Sequence, residues 1–126
     1  MIVDEQIKMK KVAILFRRAP HGSPHGREAL DLALLSASFE QEVSLIFVDD
    51  GVLNLVKDQQ PERVGAKDYI ATFGALPLYD VETVLACEES LVEYGLDLTD
   101  LTIEVDKVSP SLITEQLSKV DEVLVF

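Results

Sequence analysis

Five short apolar runs constrain what this chain can fold into: KKVAILF (10–16), VSLIFV (43–48), VETVLAC (81–87), LTIEV (101–105) and DEVLVF (121–126). The first two are continuous and rich in β-branched residues, the pattern of a strand covered on both faces. The other three read as strands as well. Helix signals stand between them. Ser23 and Pro24 supply an N-cap and a first-turn proline for a helix reaching about Ala37. After a second strand ending at Asp49, GVLNLV reads as a short helical piece, and KDQQPERVGA as a polar loop. A helix from Lys67 towards Leu76 would put Tyr69, Ile70, Phe73 and Leu76 on one side, with Pro77 as its stop. EESLVEYG is a helix closed by Gly95, and SPSLITEQLSKV repeats the Ser-Pro start.

Strands alternating with helices at this spacing imply right-handed crossovers. The expected fold is α/β: a single-domain three-layer α/β/α arrangement with a mostly parallel five-stranded sheet. Residues 1–8 read as an N-terminal extension ahead of a domain over 9–126. The pattern leaves the strand order open. Sites in such sheets gather beyond the carboxyl ends of the strands, here the loops after Phe16, Val48, Ala86 and Val105.

Charge narrows the function classes. Asp and Glu number 23 against 11 Lys and Arg, a net charge of −12, so the average field repels a nucleic-acid backbone and direct nucleic-acid binding is not expected. No apolar run approaches the ~20 residues of a membrane-spanning helix, so no membrane partner is expected either. A single cysteine excludes an internal disulfide, and with the polar start of the chain it favours a cytoplasmic setting. For so acidic a chain, a mean hydropathy of +0.17 is high and points to apolar surface reserved for a partner.

The loop RRAPHGSPHGRE has neither the three-glycine dinucleotide frame nor the Gly-Lys-Ser/Thr end of a P-loop. Gly22 and Pro24 shape a tight turn there, while Arg17, Arg18 and Arg27 offer charge for an anion, which leaves a flavodoxin-like binder of a small anion as a weaker alternative function. His21 and His25 lack the further ligands a zinc site takes, so neither a metal nor a cofactor is expected. Asp49 and Asp50 suit a helix cap better than an ion. Cys87 is the one candidate catalytic residue. It stands where the third strand meets a helix, a position that favours a thiolate, although Glu88 and Glu89 beside it oppose one. No nucleophile–base frame occurs. The first helix is apolar nearly all round, which implies cover from another chain or deep burial. Leu30 and Leu34 on it, with Tyr69, Phe73 and Tyr79 further on, are the interface candidates.

APHGSPHGREALDLAL, FVDDGVLNLV, KDYIATFGALPLYDVE and ACEESLVEYGLDL together resemble the TusC or DsrF type of subunit in the DsrE/DsrF/DsrH sulfur-relay family, over Lys10–Phe126. The resemblance implies a small α/β subunit of a TusBCD-like heterohexamer with TusB-like and TusD-like partners. Such a complex takes persulfide sulfur from TusA and passes it to TusE for 2-thiouridine formation at the tRNA wobble position. Homologous complexes serve sulfur oxidation instead. In the family the persulfide role belongs to the TusD or DsrE type, whose cysteine lies between the third strand and the next helix, the place Cys87 takes here. An accessory role for this chain, or a carrier role through Cys87, are both compatible with the resemblance.

Overall fold

The computed structural model of the chain describes residues 10–19, 25–38, 41–56, 81 and 83–126, leaving aside the side chains of 25–27 and 38. The first apolar run forms β1 (Lys11–Phe16) and the second β2 (Glu42–Phe47), paired in parallel from Lys11 opposite Glu42 to Phe16 opposite Phe47. β3 (Thr83–Cys87) lies against the far side of β2, and β4 (Asp106–Val108) against β3. β5 (Glu122–Val125) returns to the other side of β1. Among the described residues the sheet has five strands in the order β4-β3-β2-β1-β5, and every pairing between them is parallel.

Strand alternation divides the core between two faces. On one face Val12, Ile14 and Phe16 join Leu45, Phe47 and Val84 beneath α1 (His25–Ser38), which contributes Ala29, Leu30 and Ala33. These three recur along one stripe at i, i+1 and i+4, while Glu28 and Asp31 stay in water. The rings of Phe16 and Phe47 stack at 4.4 Å and 13°, worth about 0.5–1.5 kcal/mol beyond their burial. On the other face Ala13, Ile46, Leu85 and Cys87 meet Ile113 of α3 (Pro110–Ser118). Helices on both faces are what the sequence pattern requires.

Local chemistry sets the element ends. Ser109 Oγ accepts the Leu112 N–H at 3.2 Å and Pro110 occupies the first turn of α3, as the Ser-Pro signal predicts. α2 (Glu88–Glu93) ends at Gly95, whose φ is +65°. There the Leu96 N–H donates to Leu91 O at 2.9 Å and the Gly95 N–H to Val92 O at 3.0 Å, a Schellman closure.

Two expectations need correction. The second strand ends at Phe47, not Asp49: Asp49 takes φ +50° and opens a 3₁₀ helix over Asp49–Leu55, which takes in the expected helical piece up to Leu55 and leaves Val56 extended. The fourth strand is not LTIEV but Asp106–Val108. Leu101 is buried, forms an antiparallel bridge with Val56, and is followed by Thr102, whose N–H donates to Leu55 O at 2.8 Å. Anchored there, the chain reaches the sheet only at Asp106, opposite Leu85. The helix expected over 67–76 lies outside the described residues, as does the turn around Ser23 and Pro24.

Candidate functional site

Cys87 is the last residue of β3 and directly precedes α2, as the sequence implies. Its side chain belongs to the core beneath α3, and the residue is 6% exposed. Beside it a cleft of about 350 Å³ opens at the carboxyl ends of β2 and β3, with Val48, Cys87 and Ile113 among its walls and Asp49, Glu89 and Glu93 among its acidic members. The Asp49 N–H donates to the buried Ser90 Oγ at 2.9 Å, which ties the end of β2 to the start of α2 and fixes the shape of this opening. No Lys, Arg or His lines the cleft among the described residues. The arrangement presents a recessed thiol with carboxylates but, among the described residues, no imidazole or cation lining its cleft, and disfavours small anions, because the carboxylates carry the same sign.

The neighbouring groups are engaged among themselves. Asp49 faces Arg17 at 3.5 Å across an exposed pair. Asp50 accepts the Tyr94 hydroxyl. That hydrogen bond, then burial, then the negative charges of Asp50, Glu93 and Asp49, push the Tyr94 phenol up to about 12. Among the described residues no three His, Cys, Asp or Glu side chains gather as metal ligands do. His21 and the side chains of His25 and Arg27 lie outside them, as do Tyr69, Phe73 and Tyr79.

Of the interface candidates on α1, Leu30 is a correction: it is 1% exposed and packs under the sheet, because it lies on the stripe shared with Ala29 and Ala33. Leu34 is partly buried at the core margin, and Leu35, at 54% exposed, is the apolar side chain this helix offers to water. Sequence reasoning missed Gly51 and Asn54. A Cβ on Gly51 would sit 1.9 Å from Phe16 O, so the 3₁₀ helix lies directly on the end of β1. Asn54, 1% exposed, donates its side-chain amide to Arg18 O and Gly51 O, each at 2.9 Å. The signal was the string DDGVLN itself, but its role depends on a segment more than thirty residues upstream.

The model of the DsrE/DsrF-like family matches residues 10–126. The chain belongs to the DsrE/DsrF-like family. It is 37% identical over 118 residues to the Protein TusC homolog of Aliivibrio fischeri, covering 94% of this chain and 100% of that protein. In three dimensions this family member is similar to the ychN protein from E. coli, with TM-score 0.80, 22% identity, and coverage of 94% of this chain and 100% of the other. It is also similar to a protein of unknown function from Methanobacterium thermoautotrophicum, with TM-score 0.63, 19% identity, and coverage of 91% and 98%. At those identities the two structures speak to the fold. Among the described residues no helix is long and apolar enough to cross a membrane.

Proposed function

We propose that this chain is an accessory subunit of a cytoplasmic sulfur-relay complex, one that passes persulfide sulfur from a TusA-type donor to a TusE-type acceptor for tRNA 2-thiolation. The observation that carries the reading is end-to-end similarity to a TusC homolog at 37% identity. In the proposed assembly TusB-like and TusD-like subunits are its partners. Leu34 and the exposed Leu35 on α1 are its candidate contacts, together with Tyr69, Phe73 and Tyr79 outside the described residues. The recessed Cys87, with carboxylates and, among the described residues, no cation lining its cleft, supports an accessory role over sulfur carriage.

The test is made in cells lacking the native copy, with 2-thiouridine measured in bulk tRNA. Loss of the chain is expected to abolish the modification, while Cys87→Ser restores it fully. Full modification without the chain would sink the reading. Intact-complex mass spectrometry of the tagged chain is expected to show two further small subunits at equal ratio.

A second reading, with Cys87 as a carrier, draws on the cleft beside its side chain. In it the Cys87 thiolate attacks the outer sulfur of a donor persulfide, and the donor leaves as its thiolate. It requires a gain of one sulfur atom on Cys87 after exposure to a persulfide donor, and a Cys87→Ser chain that fails in tRNA thiolation. A relay ending in sulfur oxidation predicts wild-type 2-thiouridine in the deletion strain.

A further inference from the structure

The sheet reverses direction between β1 and β5: the chain steps outward from β1 to β4, then crosses back to place β5 on the other flank. The carboxyl ends of β1 and β5 lie side by side in the sheet, and open parallel sheets hold ligands beyond the carboxyl ends of their strands where the strand order reverses. A cavity of about 220 Å³ lies there, lined by Arg17, Arg18, Val125 and Phe126. The Cys87 cleft lies elsewhere, at the ends of β2 and β3.

The floor of this crevice is fixed. The Arg17 N–H donates to Phe126 O and the Phe126 N–H to Leu15 O, each at 2.8 Å, so the β1–β5 ladder continues past both strand ends. Arg18 O is held by the Asn54 amide, and Gly51 packs against the Phe16–Arg17 peptide. The backbone carrying the arginines is therefore braced on two sides, and both side chains reach water from it.

Their charges are mostly uncommitted. Among the described residues Arg17 meets Asp49 through Nε, at 3.5 Å and with both side chains more than half exposed, a weak pair. Arg18 has no ion-pair partner among the described residues. Both arginines line the cavity, and a guanidinium fork matches the oxygens of a phosphate, sulfate or carboxylate. At roughly 30 Å³ per water molecule, the cavity has room for such a group and several waters. In a chain of net charge −12, two arginines on one crevice, one of them weakly paired and the other without an ion-pair partner among the described residues, concentrate positive charge against the sign of the molecule.

We propose that the crevice between the ends of β1 and β5 binds an oxyanion, with Arg17 and Arg18 as its cationic ligands. The site stands independently of the sulfur-relay reading, because no part of it involves Cys87. The test is isothermal titration calorimetry on the full-length chain with any co-purifying subunits retained. Sodium phosphate and sodium acetate are titrated separately against sodium chloride at matched ionic strength, which removes simple screening of the acidic chain. Saturable binding is expected. It should weaken at least about tenfold in Arg17→Gln and in Arg18→Gln, the equivalent of one charge-assisted hydrogen bond, and less in Arg18→Lys. Far-UV circular dichroism checks that each variant folds. Saturation by phosphate identifies a phosphate-type ligand, and saturation by acetate alone a carboxylate such as a partner's side chain or terminus. Heats that match chloride for both salts, or binding unchanged in both Gln variants, would overturn the proposal.

Discussion

Replacing Gly51 by Ala tests how rigidly the 3₁₀ helix is pressed onto the end of β1. The added Cβ would lie 1.9 Å from Phe16 O, 2.4 Å from its carbonyl carbon and 3.0 Å from Arg17 N, all backbone atoms. Separation must grow by more than an ångström, and neither side can yield cheaply. Phe16 O already accepts the Val48 N–H at 3.0 Å, and Phe16 pairs with Phe47 in the sheet. Gly51 donates its own N–H to Val48 O at 2.8 Å and accepts from Asn54 at 2.9 Å. Overpacking costs about 1–3 kcal/mol, and two weakened hydrogen bonds add about 0.5–1.5 kcal/mol each. The gain from a stiffer unfolded chain is only about 0.4–1 kcal/mol. The net loss is about 3 kcal/mol, a large share of the roughly 5–15 kcal/mol that holds a domain together. Urea unfolding followed by far-UV circular dichroism should show a lower midpoint with an unchanged slope. Gly95→Ala is the control: φ is +65° but nothing lies within 4 Å of the new Cβ, so only the left-handed strain of about 1–2 kcal/mol applies. If Gly51→Ala costs no more than Gly95→Ala, the close approach does not constrain the fold and the reasoning fails.

Asn54→Leu removes the buried amide that holds two carbonyls. A loss of about 2–4 kcal/mol is expected from the unsatisfied groups, read from the same urea curves. The Tyr94 phenol titrates at about 12 instead of the ordinary 10.0, so the fold favours its protonated form. The stability this contributes is complete below pH 10 and disappears between pH 10 and 12. Tyrosinate absorbance against pH should show the late titration, and Asp50→Asn should bring it down. Cys87, 6% exposed, should react with a bulky thiol reagent at least about a hundredfold more slowly in the native chain than in urea. Native labelling at the unfolded rate would mean that the cleft exposes the sulfur.

The strands that were legible in the sequence are those whose burial the sequence must encode by itself. β1 and β2 are interior strands, covered by helices on both faces, so nearly every position in them is apolar. β4 is an edge strand with one buried residue, Val108, and Asp106-Lys107-Val108 carries almost no apolar signal. LTIEV does carry that signal, but Leu101 spends it on the core beside Leu55. Cys87 was placed correctly because a strand-to-helix junction is a local property. Gly51, Asn54 and the Arg17–Arg18 crevice were harder to read. Their geometry arises where the ends of β1 and β5 meet the 3₁₀ helix, and no window along the chain contains all three. The apolar excess of α1 proved to be mostly burial, with Leu35 the side chain left over.

The pairing of β5 with β1 also bears on how the chain is made. Among the described strands β1 is translated before the others, and its second neighbour, β5, after them. On the ribosome one flank of VAILF stays open while about a hundred residues are added, some 5–20 s at ordinary elongation rates. Through that interval a row of unpaired amides and carbonyls on a very apolar strand is available to any other nascent chain. The closing Val123–Val125 segment is thus a seal as well as a strand. Truncations that remove it should raise aggregation during synthesis more than they lower the measured stability of whatever folds.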